Sequence, residues 1–181
     1  MTTITIFDEA GRDAPLDATD DPNRIAAVLA SVGVGFERVP APLALPPEAD
    51  AAAVLAAYAE TIEDIKRSGG YTAGDVVRLL PNTPGHAELR AKFLAEHTHD
   101  DDEVRFFVEG SGTFFLRAGG KVIELRSERG DLIRVPKGAR HWFDIGVPPF
   151  FTAIRLFTRE DGWVGALTGD SIPERFLPQA G

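Results

Sequence analysis

Two hydrophobic periods divide the chain near its middle. Between residues 20 and 68, apolar side chains recur at helical spacing in an alanine-rich background. Asp21-Pro22-Asn23 opens a first predicted helix, with Ile25, Val28 and Leu29 on one face and Gly33 as its stop. The reasons are local: Asp caps free N–H groups, Pro suits a first turn, and Gly accepts the left-handed backbone that ends a helix. A second predicted helix opens at Pro46-Pro47-Glu48-Ala49-Asp50, carries Val54, Leu55, Tyr58, Ile62 and Ile65, and closes at Gly69-Gly70. A third covers residues 88–94, and residues 3–7, 35–39 and 75–80 are predicted strands. From residue 103 the period shortens to two. Strands are predicted over 104–108, 113–116, 122–125, 132–135, 141–145 and 151–157, with a turn at Glu109-Gly110-Ser111-Gly112 and a hairpin at Ala118-Gly119-Gly120. Many short strands punctuated by Gly and Pro predict a sandwich or barrel with helices outside it. No repeat or linker interrupts the pattern, so residues 1–181 are expected to form one mainly-β domain with an N-terminal elaboration.

Composition narrows the chemistry. With 19 Lys and Arg against 28 Asp and Glu, the net charge is −9, and the basic residues form no cluster. That argues against a nucleic-acid or anionic-membrane surface. The N-terminus has neither a basic region nor a long apolar core, and no run approaches a membrane span, so a soluble cytoplasmic protein is expected. There is no cysteine, which excludes disulfides, thiolate zinc, iron–sulfur clusters and a cysteine nucleophile. A histidine metal site must be drawn from the four histidines His86, His97, His99 and His141. His86 follows Pro84-Gly85 and reads as a loop residue.

The other three fall into a pattern with one carboxylate. In His97-Thr98-His99, residues two apart share a face only on an extended strand. Glu103 would lie about 13 Å from His99 on a straight strand, too far to share an ion. The chain must therefore bend between them, and Asp100-Asp101-Asp102 suits a solvated turn. Beyond the bend, alternation puts Glu103, Arg105 and Phe107 on one face. An inward Arg105 needs a partner such as Glu103 or a bound anion. Pro136 and Gly138 form a turn that can bring His141 back beside the first cluster. The expected ligand set is His97, His99, Glu103 and His141.

These motifs resemble those of the cupins. His97, His99, Glu103 and Gly110 have the spacing of the first cupin motif, although Ala91 stands where its leading Gly is expected. Gly130, Pro136, Gly138 and His141 match the second, with Ile145 replacing its Asn. The resemblance implies a double-stranded β-helix, or jelly roll, with the metal in its mouth. A more specific likeness runs through Leu89-Arg90-Ala91-Lys92-Phe93-Leu94-Ala95-Glu96-His97-Thr98-His99, Asp102 to Gly110, His141-Trp142-Phe143-Asp144, Phe151 to Arg155 and Gly162-Trp163. Together with Phe36-Glu37-Arg38 and Ala56-Ala57-Tyr58, these segments resemble the bacterial acireductone dioxygenases over nearly the whole chain.

That resemblance implies one Fe²⁺ or Ni²⁺ per monomer, a small enediol substrate, dioxygen as co-substrate, and a place in methionine salvage. It implies that Arg105 orients or deprotonates the substrate, and that Phe93, Phe143, Arg155 and Trp163 line the pocket. Aromatic residues at strand spacing are also ordinary core, so the pocket roles stay open here. The alternatives are another cupin oxygenase or isomerase, or a non-catalytic cupin that binds metal or ligand.

Overall fold

The computed structural model describes residues 1–177; the last four residues of the expected domain lie outside them. Strand β1 (Thr3–Asp8) and β2 (Pro15–Thr19) lead into helix α1 (Pro22–Ala30) and β3 (Gly35–Arg38). Helices α2 (Ala51–Ala57) and α3 (Ala59–Gly69) precede β4 (Ala73–Leu79), followed by α4 (His86–Phe93). The β-rich half holds β5 (His97–His99), β6 (Glu103–Ala118), β7 (Lys121–Glu128), β8 (Asp131–Val135), β9 (Arg140–Asp144), β10 (Phe150–Phe157) and β11 (Gly165–Leu167), then a 3₁₀ turn at Ile172–Phe176. No helix among the described residues is long and apolar enough to cross a membrane.

The architecture turns on β6. Its first half lies in the order β3-β8-β6-β10-β4, and its second half in the order β11-β5-β9-β6-β7-β1-β2, every pairing antiparallel. One strand therefore belongs to two facing sheets. This is the jelly roll that the cupin resemblance implies. The inner faces enclose Phe107, Ile133, Val135, Phe151 and Ala153 from one sheet, with Ile4, Phe114, Leu116, Ile123, Leu125 and Phe143 from the other. Outside, Val54, Tyr58, Ile62 and Ile65 of the α2–α3 segment cover Val104, Phe106, Ile154 and Leu156. Ile172 and Phe176 cover Phe7, Phe115, Val122 and Trp142 on the opposite side.

The Glu109–Gly112 segment is not a turn between two strands, as expected, but the bend of one sixteen-residue strand. Opposite Thr152 and Ala153 the register jumps from Glu109 to Phe107, leaving Val108 as a bulge. One extra residue inverts the facing of everything after it: inward positions are Glu103, Arg105 and Phe107 before the bulge, then Phe114 and Leu116. Gly110 has φ +66°, and a side chain there would run into the Phe150 carbonyl. The expected hairpin at Ala118-Gly119-Gly120 is present, with Ala118 opposite Lys121.

Three further expectations are corrected. The second helix is two: Asp50 caps Ala53 N–H at 2.8 Å, and the helix breaks at Tyr58, whose Oη donates to the Leu43 carbonyl. His86 opens α4 rather than sitting in a loop. Asp101 is buried, whereas its neighbour Asp100 is exposed as expected.

Candidate metal centre

Three strands deliver the predicted ligands to one place. β5 carries His97 and His99 on an extended backbone, and His97 lies directly across from His141 of β9. The chain bends at residues 100–102 and brings Glu103, the first residue of β6, under them. The Pro136–Gly138 turn is tied to that bend: Gly138 N–H donates to the His99 carbonyl at 3.0 Å, and Lys137 N–H to Asp102 Oδ1 at 2.7 Å. His97, His99 and His141 each offer a ring nitrogen within 4.8 Å of the others. Glu103 Oε2 lies 3.4 Å from His99 Nε2 and 3.7 Å from His141 Nε2. Donors at right angles around an ion with bonds of about 2.1 Å sit about 3 Å apart, so this spacing suits a shared metal.

The hydrogen bonds say which atoms are free to bind it. His97 Nδ1 faces the Ala95 carbonyl at 2.8 Å, His99 Nδ1 the Val164 carbonyl at 3.1 Å, and His141 Nδ1 the Ala139 carbonyl at 2.9 Å. A carbonyl only accepts, so each Nδ1 carries the proton and each Nε2 presents a lone pair. Burial lowers the pKa of His97, and that of His141 to about 3, so both are neutral at physiological pH. Burial alone would raise Glu103, but the Arg105 guanidinium beside it holds its carboxyl well below the usual range. His99 Nε2 and Glu103 Oε2 are thus two acceptors facing each other, and Glu103 Oε2 and His141 Nε2 are buried with no partner. Orphaned acceptors converging on one point are costly unless a cation lies between them. The residues fit a metal ion.

Arg105 closes the inner side. Its Nε and Nη2 donate to Glu103 Oε1 at 3.2 and 2.7 Å, which leaves Oε2 for the metal position. Its guanidinium lies 4.6 Å from the ring centres of both Phe114 and Phe143, two adjacent rings whose own centres are 4.9 Å apart, so both offer cation–π contacts from one side. Burial pulls the Arg105 pKa down and the Glu103 charge opposes that pull.

Residues 3–165 match the family model described as the ARD/ARD' family. A Parvibaculum lavamentivorans protein named acireductone dioxygenase is 53% identical, over 97% of this chain and 96% of its own length. The chain belongs to the acireductone dioxygenase family. It is accordingly an enzyme, a dioxygenase. A Synechococcus relative of the same name is 49% identical over 97% of this chain and 98% of its own. Among solved structures, an acireductone dioxygenase from Bacillus anthracis with a cadmium ion in its active centre superposes with a TM-score of 0.78. It is 34% identical and covers 92% of this chain and 98% of that one.

The remaining pocket positions suggested by the acireductone dioxygenase likeness spread outward from Arg105. Phe143 is buried against Phe114 and Phe151, and half-buried Phe93 meets it edge-on with ring centres 6.3 Å apart. Arg155 stands across from Arg105 on β10 and is gripped by Asp75 of β4 through two bonds of 2.8 and 2.6 Å. Trp163 is the most exposed of the four positions. It is 54% exposed, on the rim of a cavity of about 360 Å³ lined also by Asp75, Gly74, Glu160 and Phe157. Phe157 joins the two regions, because its ring centre is 6.4 Å from that of His99. Three contributors carried no signal as candidates in the sequence. Phe114 is reached only after the Val108 bulge inverts the alternation. Asp75 grips Arg155 from a strand 80 residues away. The Val164 group is a backbone carbonyl.

Proposed function

We propose that this chain cleaves the acireductone 1,2-dihydroxy-3-keto-5-methylthiopentene with dioxygen, in methionine salvage, using one Fe²⁺ or Ni²⁺ held by His97, His99, Glu103 and His141. The observation that carries the reading is a ring nitrogen from each of His97, His99 and His141 within 4.8 Å of the others, with an unpartnered Glu103 oxygen 3.4 Å from His99 Nε2 and 3.7 Å from His141 Nε2. A divalent ion held there by three neutral imidazoles and one carboxylate would keep a net charge of about +1 and would supply Lewis-acid stabilisation of a deprotonated, electron-rich enediolate.

The chain's own residues supply the rest. Arg105 adds a fixed positive charge beside the site, which favours a dianionic substrate over its protonated forms. Phe114 and Phe143 keep that guanidinium in place and exclude water around it. Arg155, neutralised by Asp75, extends the polar lining toward the rim where Trp163 lies. The expected products with iron(II) are formate and 4-methylthio-2-oxobutanoate. With nickel(II) they are formate, carbon monoxide and 3-methylthiopropanoate. Nickel should bind such an N,O site more tightly than iron, so supply would decide the branch. We take the working form to be a cytoplasmic monomer.

The test is direct. Protein loaded anaerobically with one equivalent of Fe²⁺ or Ni²⁺ is mixed with the enediol, and dioxygen is then admitted. Loss of the enediol absorbance, with formate and the metal-dependent co-product, is expected. Absence of turnover with either metal in fully loaded protein would refute the reading.

A further inference from the structure

The three candidate ligands are not held alike. His97 and His141 each donate Nδ1–H to a carbonyl two residues back in their own chain, Ala95 and Ala139. His99 has no such local partner and donates instead to Val164, 65 residues away. Its ring orientation therefore depends on how the 158–164 segment docks. That segment is held by Asp101, two residues past His99. The Asp101 carboxylate is 5% exposed, and both its oxygens are engaged. Oδ2 accepts from Thr158 N–H at 2.8 Å and from Arg159 N–H at 2.9 Å, while Oδ1 accepts from the Thr158 hydroxyl and from Asp102 N–H. The segment returns over the carboxylate at Gly162, where a methyl group would collide with Asp101 Oδ2 and with Phe157 Cβ 2.8 Å away. It then enters β11, where Gly165 pairs with His99 itself.

We propose that Asp101 is a positioning residue for the metal centre: it docks the 158–164 segment so that the Val164 carbonyl fixes the tautomer and ring angle of His99. The chain of contacts runs Asp101, Thr158–Arg159, Gly162, Val164, His99, and closes on itself through the His99–Asp101 bend. Groups that orient a ligand imidazole commonly contribute 10- to 100-fold in metal affinity. Asp101 acts on one histidine of the three, which separates this role from a general contribution to folding. The inference rests on the ligand assignment proposed above.

Two substitutions attack the same contact from opposite sides. Asp101→Asn turns one acceptor into a donor facing the Thr158 and Arg159 N–H groups; Gly162→Ala pushes the segment off an intact carboxylate. Each variant and the double variant are loaded with Cd²⁺, and dissociation of the ion to a chelator is timed. Imidazole ¹⁵N spectra of the loaded proteins report the three tautomers. Both single variants are expected to release Cd²⁺ about 10-fold or more faster, with the Nδ1–H signal of His99 alone shifting and broadening as it loses its carbonyl partner. The double variant is expected to be no worse than the poorer single one, because both break one link. Dissociation within twofold of the parent protein, equal disturbance of all three histidines, or additive effects in the double variant would each overturn the proposal. Should Asp101→Asn fail to fold, Gly162→Ala alone decides through the same two readouts. A parent protein that binds no stoichiometric Cd²⁺ would instead overturn the ligand assignment.

Discussion

At the scale of single residues, the centre is a problem of unpaired acceptors. Glu103 divides its two oxygens, one to Arg105 and one to the metal position. Arg105 in turn is fixed by Glu103 through two hydrogen bonds and by the adjacent rings of Phe114 and Phe143. Losing the guanidinium leaves the carboxylate and all three histidines in place. Arg105→Met is therefore expected to retain one metal per chain while kcat falls on the order of 10²-fold, the size usual for a positioned electrostatic or proton-transfer group. Arg105→Lys should recover little, since a lysine ammonium cannot reproduce the planar fork that donates twice to Glu103 while stacking near Phe114 and Phe143. Metal analysis beside steady-state kinetics checks this; loss of metal in Arg105→Met would contradict it. The histidines, Glu103 and the inward facing of Arg105 were legible in the sequence because each depends on spacing within a few residues. Asp101 read as solvated because nothing near it in the chain announces the Thr158 and Arg159 N–H groups that bury it.

At the scale of elements, the bend of β6 carries the architecture. Glycine-rich segments serve both as turns and as strand bends, and local pattern alone does not separate them. Only the long-range ladders on both sides of Gly110 show that the strand continues. The same limit hid β2 and β11, which are short and mostly exposed and so lack alternation, and the break at Tyr58, which is set by contacts with Leu43 and Phe106. The strands from β7 to β10, by contrast, bury strong apolar patterns and lay where the period-two reading put them. Gly110→Ala tests the bend. A non-glycine residue at φ +66° is strained, and here its Cβ would also meet the Phe150 carbonyl. The expected loss is roughly 3 kcal/mol or more, read as a lower denaturant midpoint with unchanged slope. A shift within about 0.5 kcal/mol, the range of a neutral surface change, would show that the strand can re-route.

At the scale of the whole molecule, burial of the histidine cluster ties stability to pH. His97 and His141 have folded-state pKa values below that of a free histidine, His141 at about 3. As pH falls below about 6.5 the unfolded chain takes up protons on them that the folded chain refuses. Stability contributed by their neutral burial is thus present above that pH and lost as acid is added, by at most about 1.4 kcal/mol per pH unit for each. Glu103, also held low, acts in the same direction at lower pH. The metal-free protein is therefore expected to melt at progressively lower temperature from pH 7 to pH 5. A melting temperature that stays level or rises over that interval would contradict this. Bound metal adds stability by mass action and should make the acid loss steeper, because protons then also displace the ion.

His97 and His141 face each other as the single paired position between β5 and β9. Side chains alternate faces along a strand, so sliding either strand by one residue would turn one of these imidazoles outward. Metal capture then works as proofreading: a barrel zipped one step out of phase is a barrel that cannot be charged with its ion, and full occupancy certifies correct closure.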